Sequence, residues 1–192
     1  MKIGLIQGRL LRPEDGFIQE FPKCWKEEFA KAKSLGFNHV EWIITSKSFN
    51  NNPIFSEDCS GFPISSLCAD NLVDERILDR DFLHQNLNPI CKAAIDNNIN
   101  WVTIPLLEKS SISDRTKRES FQKVIIEYSD KFPKLNFSFE AETAAENALE
   151  IASLRNNFWL TYDTGNITSE RINHKDYIEK TFQKINNVHL KD

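Results

Sequence analysis

At 192 residues, with 40% hydrophobic and 27% charged side chains, the chain is long enough for one domain with a substantial buried core. Against 28 acidic residues stand 24 basic ones; the net charge of −4 argues against a nucleic-acid partner, because neutralising phosphates needs a basic face. No run reaches the ~18 apolar residues of a membrane span, and Met1 to Gln7 is too short for a signal-peptide core, so a soluble, cytoplasmic protein with no membrane partner is expected.

In chain order, Ile3 to Gln7 reads as a first strand, followed by a polar loop containing Gly8-Arg9 and Asp15-Gly16. Trp25, Phe29, Ala32 and Leu35 recur at helical spacing between Cys24 and Leu35, and Gly36 supplies the C-terminal cap. His39 to Ile44 is a second strand. The Ser-, Asn- and Pro-rich stretch from Thr45 to Gly61 is a loop with at most one short helix, and Pro63 to Ala69 is a third strand ending at Asp70. Asp81 to Asn97 is a helix, Asn100 to Leu106 a fourth strand, and Asp114 caps a helix that runs to about Lys131. Lys134 to Glu140 is a fifth strand, Thr143 to Leu154 a helix and Phe158 to Asp163 a sixth strand. His174 to Lys184 is a further helix, and Asn187 to Leu190 a seventh strand.

Strands alternating with helices indicate parallel β-α-β units and a single α/β domain. Seven of them fit a (β/α)8 TIM-barrel type better than a dinucleotide-binding sheet, and no G-x-G-x-x-G follows the first strand. The pattern stops after strand seven. The expectation is therefore an incomplete barrel lacking the eighth β/α unit, left as an open sheet or closed by another segment or a second copy in a homo-oligomer.

Strand alternation locates the chemistry. On strand five Leu135, Phe137 and Phe139 share one parity, and Asn136, Ser138 and Glu140 the other. Strand six sets Phe158, Leu160 and Tyr162 against Trp159, Thr161 and Asp163; strand seven sets Val188 and Leu190 against Asn187, His189 and Lys191. The polar parity thus carries a metal-competent residue near the end of each strand, so Glu140, Asp163 and His189 converge on one mouth. Two carboxylates and one imidazole suit one divalent ion, Mn, Mg, Co or Zn. Such an ion, bound to a carbonyl and the adjacent hydroxyl, stabilises the enediolate left when a proton departs, and a carboxylate at the same site serves as the base. Taken singly, each of these residues reads more simply as a helix cap or a surface group; their agreement in parity and strand end carries the metal reading.

The residues also carry a family resemblance. Phe139-Glu140, Tyr162-Asp163-Thr164-Gly165-Asn166 and Val188-His189-Leu190-Lys191-Asp192, with Gly8-Arg9-Leu10, Val40-Glu41-Trp42 and Cys68-Ala69-Asp70 upstream, resemble the sugar phosphate isomerase/epimerase family of the xylose-isomerase-like TIM barrels. The resemblance covers nearly the whole chain, read as one domain over residues 1–192. It implies a divalent-metal-dependent isomerase or epimerase of carbohydrate metabolism, acting on a small sugar or sugar phosphate. Glu140, Asp163 and His189 would be the metal ligands, and Glu140 the catalytic proton-transfer group. Relatives commonly carry His where Asn166 stands, and a second Glu on strand eight, so the resemblance also implies that these 192 residues alone hold metal weakly and turn over poorly.

Arg9, Glu41, Asn166 and Lys191 are the candidate substrate-binding residues; Glu41 reads equally as one half of a buried salt bridge. Glu108 is expected to face solvent, and Trp25, Trp42 and Trp101 to belong to the core. The four cysteines (Cys24, Cys59, Cys68 and Cys91) form no C-x-x-C pair, so reduced thiols are expected. Two other readings stand beside the enzyme: a non-catalytic or truncated relative that binds a sugar or a partner, and an abasic-site endonuclease relative. The second needs many His ligands, and the chain has 4 in all.

Overall fold

The computed structural model describes residues 2–13 and 16–191; Asp15 and Asp192, quoted above, lie outside them. Seven strands form one sheet: β1 (Gly4–Ile6), β2 (His39–Ile43), β3 (Ile64–Cys68), β4 (Trp101–Leu106), β5 (Asn136–Ala141), β6 (Phe158–Asp163) and β7 (Ile185–His189). They lie in sequence order and every neighbouring pair is parallel. The connections carry α1 (Trp25–Ser34), α2 (Arg80–Asp96), α3 (Arg115–Lys131), α4 (Ala145–Ala152), α5 (Thr164–Ser169) and α6 (His174–Thr181). Two short 3-10 turns, Phe49–Asn51 and Pro53–Phe55, stand where at most one short helix was expected.

The helix ends follow the local chemistry. Asp114 caps α3 by accepting from the Lys117 amide, and Asp79 caps α2 by accepting from those of Asp81 and Phe82. Gly36, just past α1, takes φ +86°, the left-handed conformation that glycine adopts without a Cβ clash. The helix expected over Thr143 to Leu154 is shorter, Ala145–Ala152.

The sheet separates two environments. Toward the helices point Trp42, Leu67, Phe137, Phe139, Phe158 and Leu160, all buried. Trp42 packs edge-on against Trp25 of α1 at 5.1 Å, and Phe139 meets Phe121 of α3 at 6.1 Å and 87°. Trp25 and Trp42 are core residues as expected, whereas Trp101 is only half-buried, against Trp159. The inner face is polar and hydrogen-bonded: Thr103 Oγ1 donates to Glu41 Oε1 at 2.8 Å, and the Ser138 and Thr161 hydroxyls meet at 2.7 Å. A β/α barrel interior filled with branched apolar side chains would lack this pattern, and strands buried on two apolar faces would not alternate as these do.

The sheet curls. β2 and β7 stand five positions apart, about 24 Å in a flat sheet with ~4.8 Å between strands. Yet Glu41 Oε2 of β2 lies 2.6 Å from His189 Nε2 of β7. The seven strands therefore form an incomplete TIM barrel. Among the described residues no ladder joins β7 to β1, and the outer face of β7 leaves Val188 49% exposed, with Leu190 just beyond the strand 83% exposed.

Candidate metal centre

Each of the three proposed ligands reaches the mouth for a local reason. Glu140 sits near the end of β5, its parity fixed by Phe137 and Phe139 on the buried outer face. Asp163 ends β6 and also begins α5: its Oδ1 accepts from the Asn166 amide at 2.9 Å, which orients the carboxylate. His189 ends β7 directly opposite Asp163 in the ladder. A register irregularity sets this pairing, since Leu160 faces Ile185 while Thr161 faces Asn187. The additional residue, Asn186, accepts from Ser138 Oγ at 2.7 Å.

One ligand atom from each of Glu140, Asp163 and His189 lies within 4.8 Å of the other two. His189 Nδ1 stands 3.3 Å from Glu140 Oε2 and 3.6 Å from Asp163 Oδ2, while Nε2 faces Glu41. Lys191 Nζ is 2.6 Å from Asp163 Oδ2 and 3.8 Å from Glu140 Oε1. Asn166 Nδ2 donates to Glu140 Oε1 at 2.8 Å.

Burial alone would drive the His189 imidazole toward its neutral form. Contacts with Asp163, Glu140 and Glu41 more than reverse this and hold it well above the ordinary imidazole range. Burial would likewise raise Asp163, but its contacts with His189, Lys191 and the Asn166 amide hold it well below the usual carboxylate range. Glu41 is also lowered: the His189 contact and the Thr103 and Ser66 hydroxyls outweigh complete burial.

The donor set fits a divalent cation. Three carboxylates (Glu41, Glu140 and Asp163) face two cationic side chains, His189 and Lys191. Exchanging the imidazolium proton at Nδ1 for a doubly charged ion brings this group to neutrality. Mixed oxygen and nitrogen donors suit Mn, Mg, Co or Zn.

Beside the cluster lies a cavity of about 80 Å³, lined by Arg9, Gln19, Glu41, Cys68, Asp70, Glu140, His189 and Lys191 among others. With about 30 Å³ per water, it has room for an ion and one or two waters. A larger cavity of about 810 Å³ lies between the 3-10 turns and α2, beside Phe55, His84 and Lys92, and carries none of the strand-end ligands. Of the four candidate substrate-binding residues, Arg9, Glu41 and Lys191 line the smaller cavity, whereas Asn166 does not and donates to Glu140 instead. Arg9 is partly engaged by Gln19 Oε1 at 3.0 Å and by the carbonyl oxygens of Gln7 and Ile18. Glu108 is exposed, as expected.

Asp70 and Gln19 were not assigned to the site from the sequence. Asp70 follows β3, where a strand-end acid on the cavity wall could have been suspected; Gln19 lies in a loop without periodicity, which gave no signal. Burial, followed by the nearby Glu140, Glu108 and Glu20 charges, pushes the Asp70 carboxyl up to about 6.

A curled, parallel α/β sheet with carboxylates and an imidazole at the C-terminal ends of its strands defines a β/α-barrel protein with a candidate metal centre. No protein-family model and no curated protein matches the chain. Solved structures do match, and they show the fold of the xylose isomerase-like TIM barrels. A D-tagatose 3-epimerase-like protein aligns over 100% of this chain and 76% of its own, with TM-score 0.68 and 15% identity. An IOLI protein crystallised with zinc aligns over 99% and 73%, with TM-score 0.67 and 15% identity. A xylose isomerase-like TIM barrel protein from Mycobacterium smegmatis, in complex with magnesium, aligns over 100% and 74%, with TM-score 0.66 and 17% identity. At these identities the likeness is one of fold.

Proposed function

We propose that the chain carries the metal-binding and proton-transfer side of a divalent-metal-dependent isomerase or epimerase acting on a small sugar or sugar phosphate. The observation that carries this reading is the convergence of Glu140, Asp163 and His189, from three strands, at one barrel mouth. Fold neighbours that include a D-tagatose 3-epimerase-like protein and zinc- and magnesium-containing structures support it.

In this reading Glu140 Oε2, Asp163 Oδ2 and His189 Nδ1 hold the cation. A cation held there would supply Lewis-acid polarisation of a substrate carbonyl, which acidifies the adjacent C–H. Glu140 would take that proton and deliver it to the neighbouring carbon of the substrate. Asn166, donating to Glu140 Oε1, keeps the carboxylate turned toward the mouth. Lys191 and Arg9 offer cationic donors to sugar hydroxyls or a phosphate. Asp70, on the same cavity wall, offers a second carboxyl that stays protonated to about pH 6.

The test is deuterium uptake from D2O at the carbon next to the carbonyl of a panel of ketoses and their phosphates, followed by NMR. Exchange should appear with Mn²⁺, vanish with chelator and fall by at least about 100-fold in Glu140→Gln. Equal exchange by wild type and Glu140→Gln, or no exchange with any member of the panel, would contradict the reading.

A further inference from the structure

We infer that Glu41 is a positioning residue: by accepting the Nε2 proton of His189 it fixes the imidazole tautomer and turns Nδ1 toward the cation. The inference rests on the metal site of the proposed function and assigns Glu41 a place in it other than substrate contact. Both carboxylate oxygens are engaged within the barrel. Thr103 Oγ1 donates to Oε1 at 2.8 Å; at Oε2, His189 Nε2 stands at 2.6 Å and Asn187 Nδ2 donates at 3.2 Å. Glu41 is 5% exposed, and β2 brings it to His189 across 148 residues of chain.

The geometry around Asn187 makes this contact decisive. Its Oδ1 accepts from the Val188 amide at 3.0 Å, which fixes which end of the side-chain amide faces the histidine. The end that does so is Nδ2, a donor, 3.1 Å from His189 Nε2. Without the Glu41 carboxylate, Nε2 would face only this donor, and a neutral imidazole would satisfy it by moving its proton to Nδ1. That proton would then point at Glu140 and Asp163, where the cation belongs. The carboxylate therefore selects the tautomer whose Nδ1 lone pair is free. A buried ion pair contributes little net stability, so holding the ring is the contribution this contact makes.

The probe is Mn²⁺ alone, titrated into chelator-stripped protein by calorimetry, with circular dichroism and thermal melting to verify the fold of each variant. Glu41→Ala should weaken Mn²⁺ binding about 10–100-fold. Glu41→Gln, whose Oε1 can still accept the Nε2 proton, should restore most of the affinity, which a purely electrostatic role would not predict. A second measurement needs no variant: in Zn²⁺-loaded wild type with ¹⁵N-histidine, His189 should show a protonated Nε2 and a metal-bound Nδ1. Ala-variant affinity within twofold of wild type, a Gln variant as weak as the Ala variant, or coordination through Nε2 would overturn the inference. If the wild type binds Mn²⁺ through Nδ1 yet exchanges no ketose proton, the isomerase reading fails and this inference stands. If it takes up no ion, both fall.

Discussion

β5 and β7 each deliver a ligand to the same mouth, but they hold it by different means. β5 is covered on its outer face, where Phe137 and Phe139 lie buried against α3 and the neighbouring strand. Glu140 is therefore placed by packing: a one-residue slip would put two phenylalanines into the polar interior. β7 leaves Val188 half-exposed on its outer face, and His189 is placed by contacts on the inner one, with Glu41, Glu140 and the irregular register at Asn186. The same barrel position can be specified by apolar burial or by a polar network, and the two should fail differently.

The largest expected loss is in β5. Phe139→Ala removes a buried ring and should lower unfolding free energy by about 3–5 kcal/mol in urea titration; a loss as small as that of an exposed residue would break the contrast. His189→Ala comes next, at about 3 kcal/mol in metal-free protein near neutral pH, because it removes the imidazolium shared by three buried carboxylates and leaves only Lys191 as a cation beside Asp163 and Glu140. Its defect should shrink in acid as Glu41 and Asp163, both held low by contact with His189, take up protons, whereas that of Phe139→Ala should not.

Asp70 gives a smaller, pH-dependent effect. Its carboxyl is raised from 3.8 to about 6 in the folded protein, so the stability it contributes is present below about pH 4 and is lost as pH rises through 6. Asp70→Asn should leave stability at pH 4 unchanged and raise it at pH 8 by about 1–2 kcal/mol; a shift of about two pKa units corresponds to about 3 at most, and water at the mouth screens part of that. Thermal melts of the metal-free protein at the two pH values measure it, and a variant less stable at pH 8 would contradict the crowding of negative charge there. The smallest effect is expected at Val188→Ala, within about 0.5 kcal/mol. A loss near that of Phe139→Ala would mean that the outer face of β7 is covered in solution.

Much of this was legible in the sequence, because alternation and helical spacing are local signals. The bounds of β6 match the expected Phe158 to Asp163, and α2 and α3 lie within a residue of theirs. The strand-end parity of Glu140, Asp163 and His189 was legible for the same reason. α5 was not: it spans only Thr164–Ser169 and contains Gly165, although the helix-cap reading of Asp163, taken singly, matches its place at the start of this helix. Glu41 read equally as one half of a buried salt bridge, but its partner His189 was hidden, since the contact depends on the curl of the sheet and not on either strand's own pattern. The extra residue at Asn186 was invisible too, and with it the start of β7 at Ile185, two residues before the expected Asn187.

The central claim is that three strands build one cation site. Anomalous diffraction from crystals soaked in Mn²⁺ tests it most directly. One peak bonded to Glu140, Asp163 and Nδ1 of His189 is the predicted result; a peak elsewhere, or none at this mouth, would contradict it.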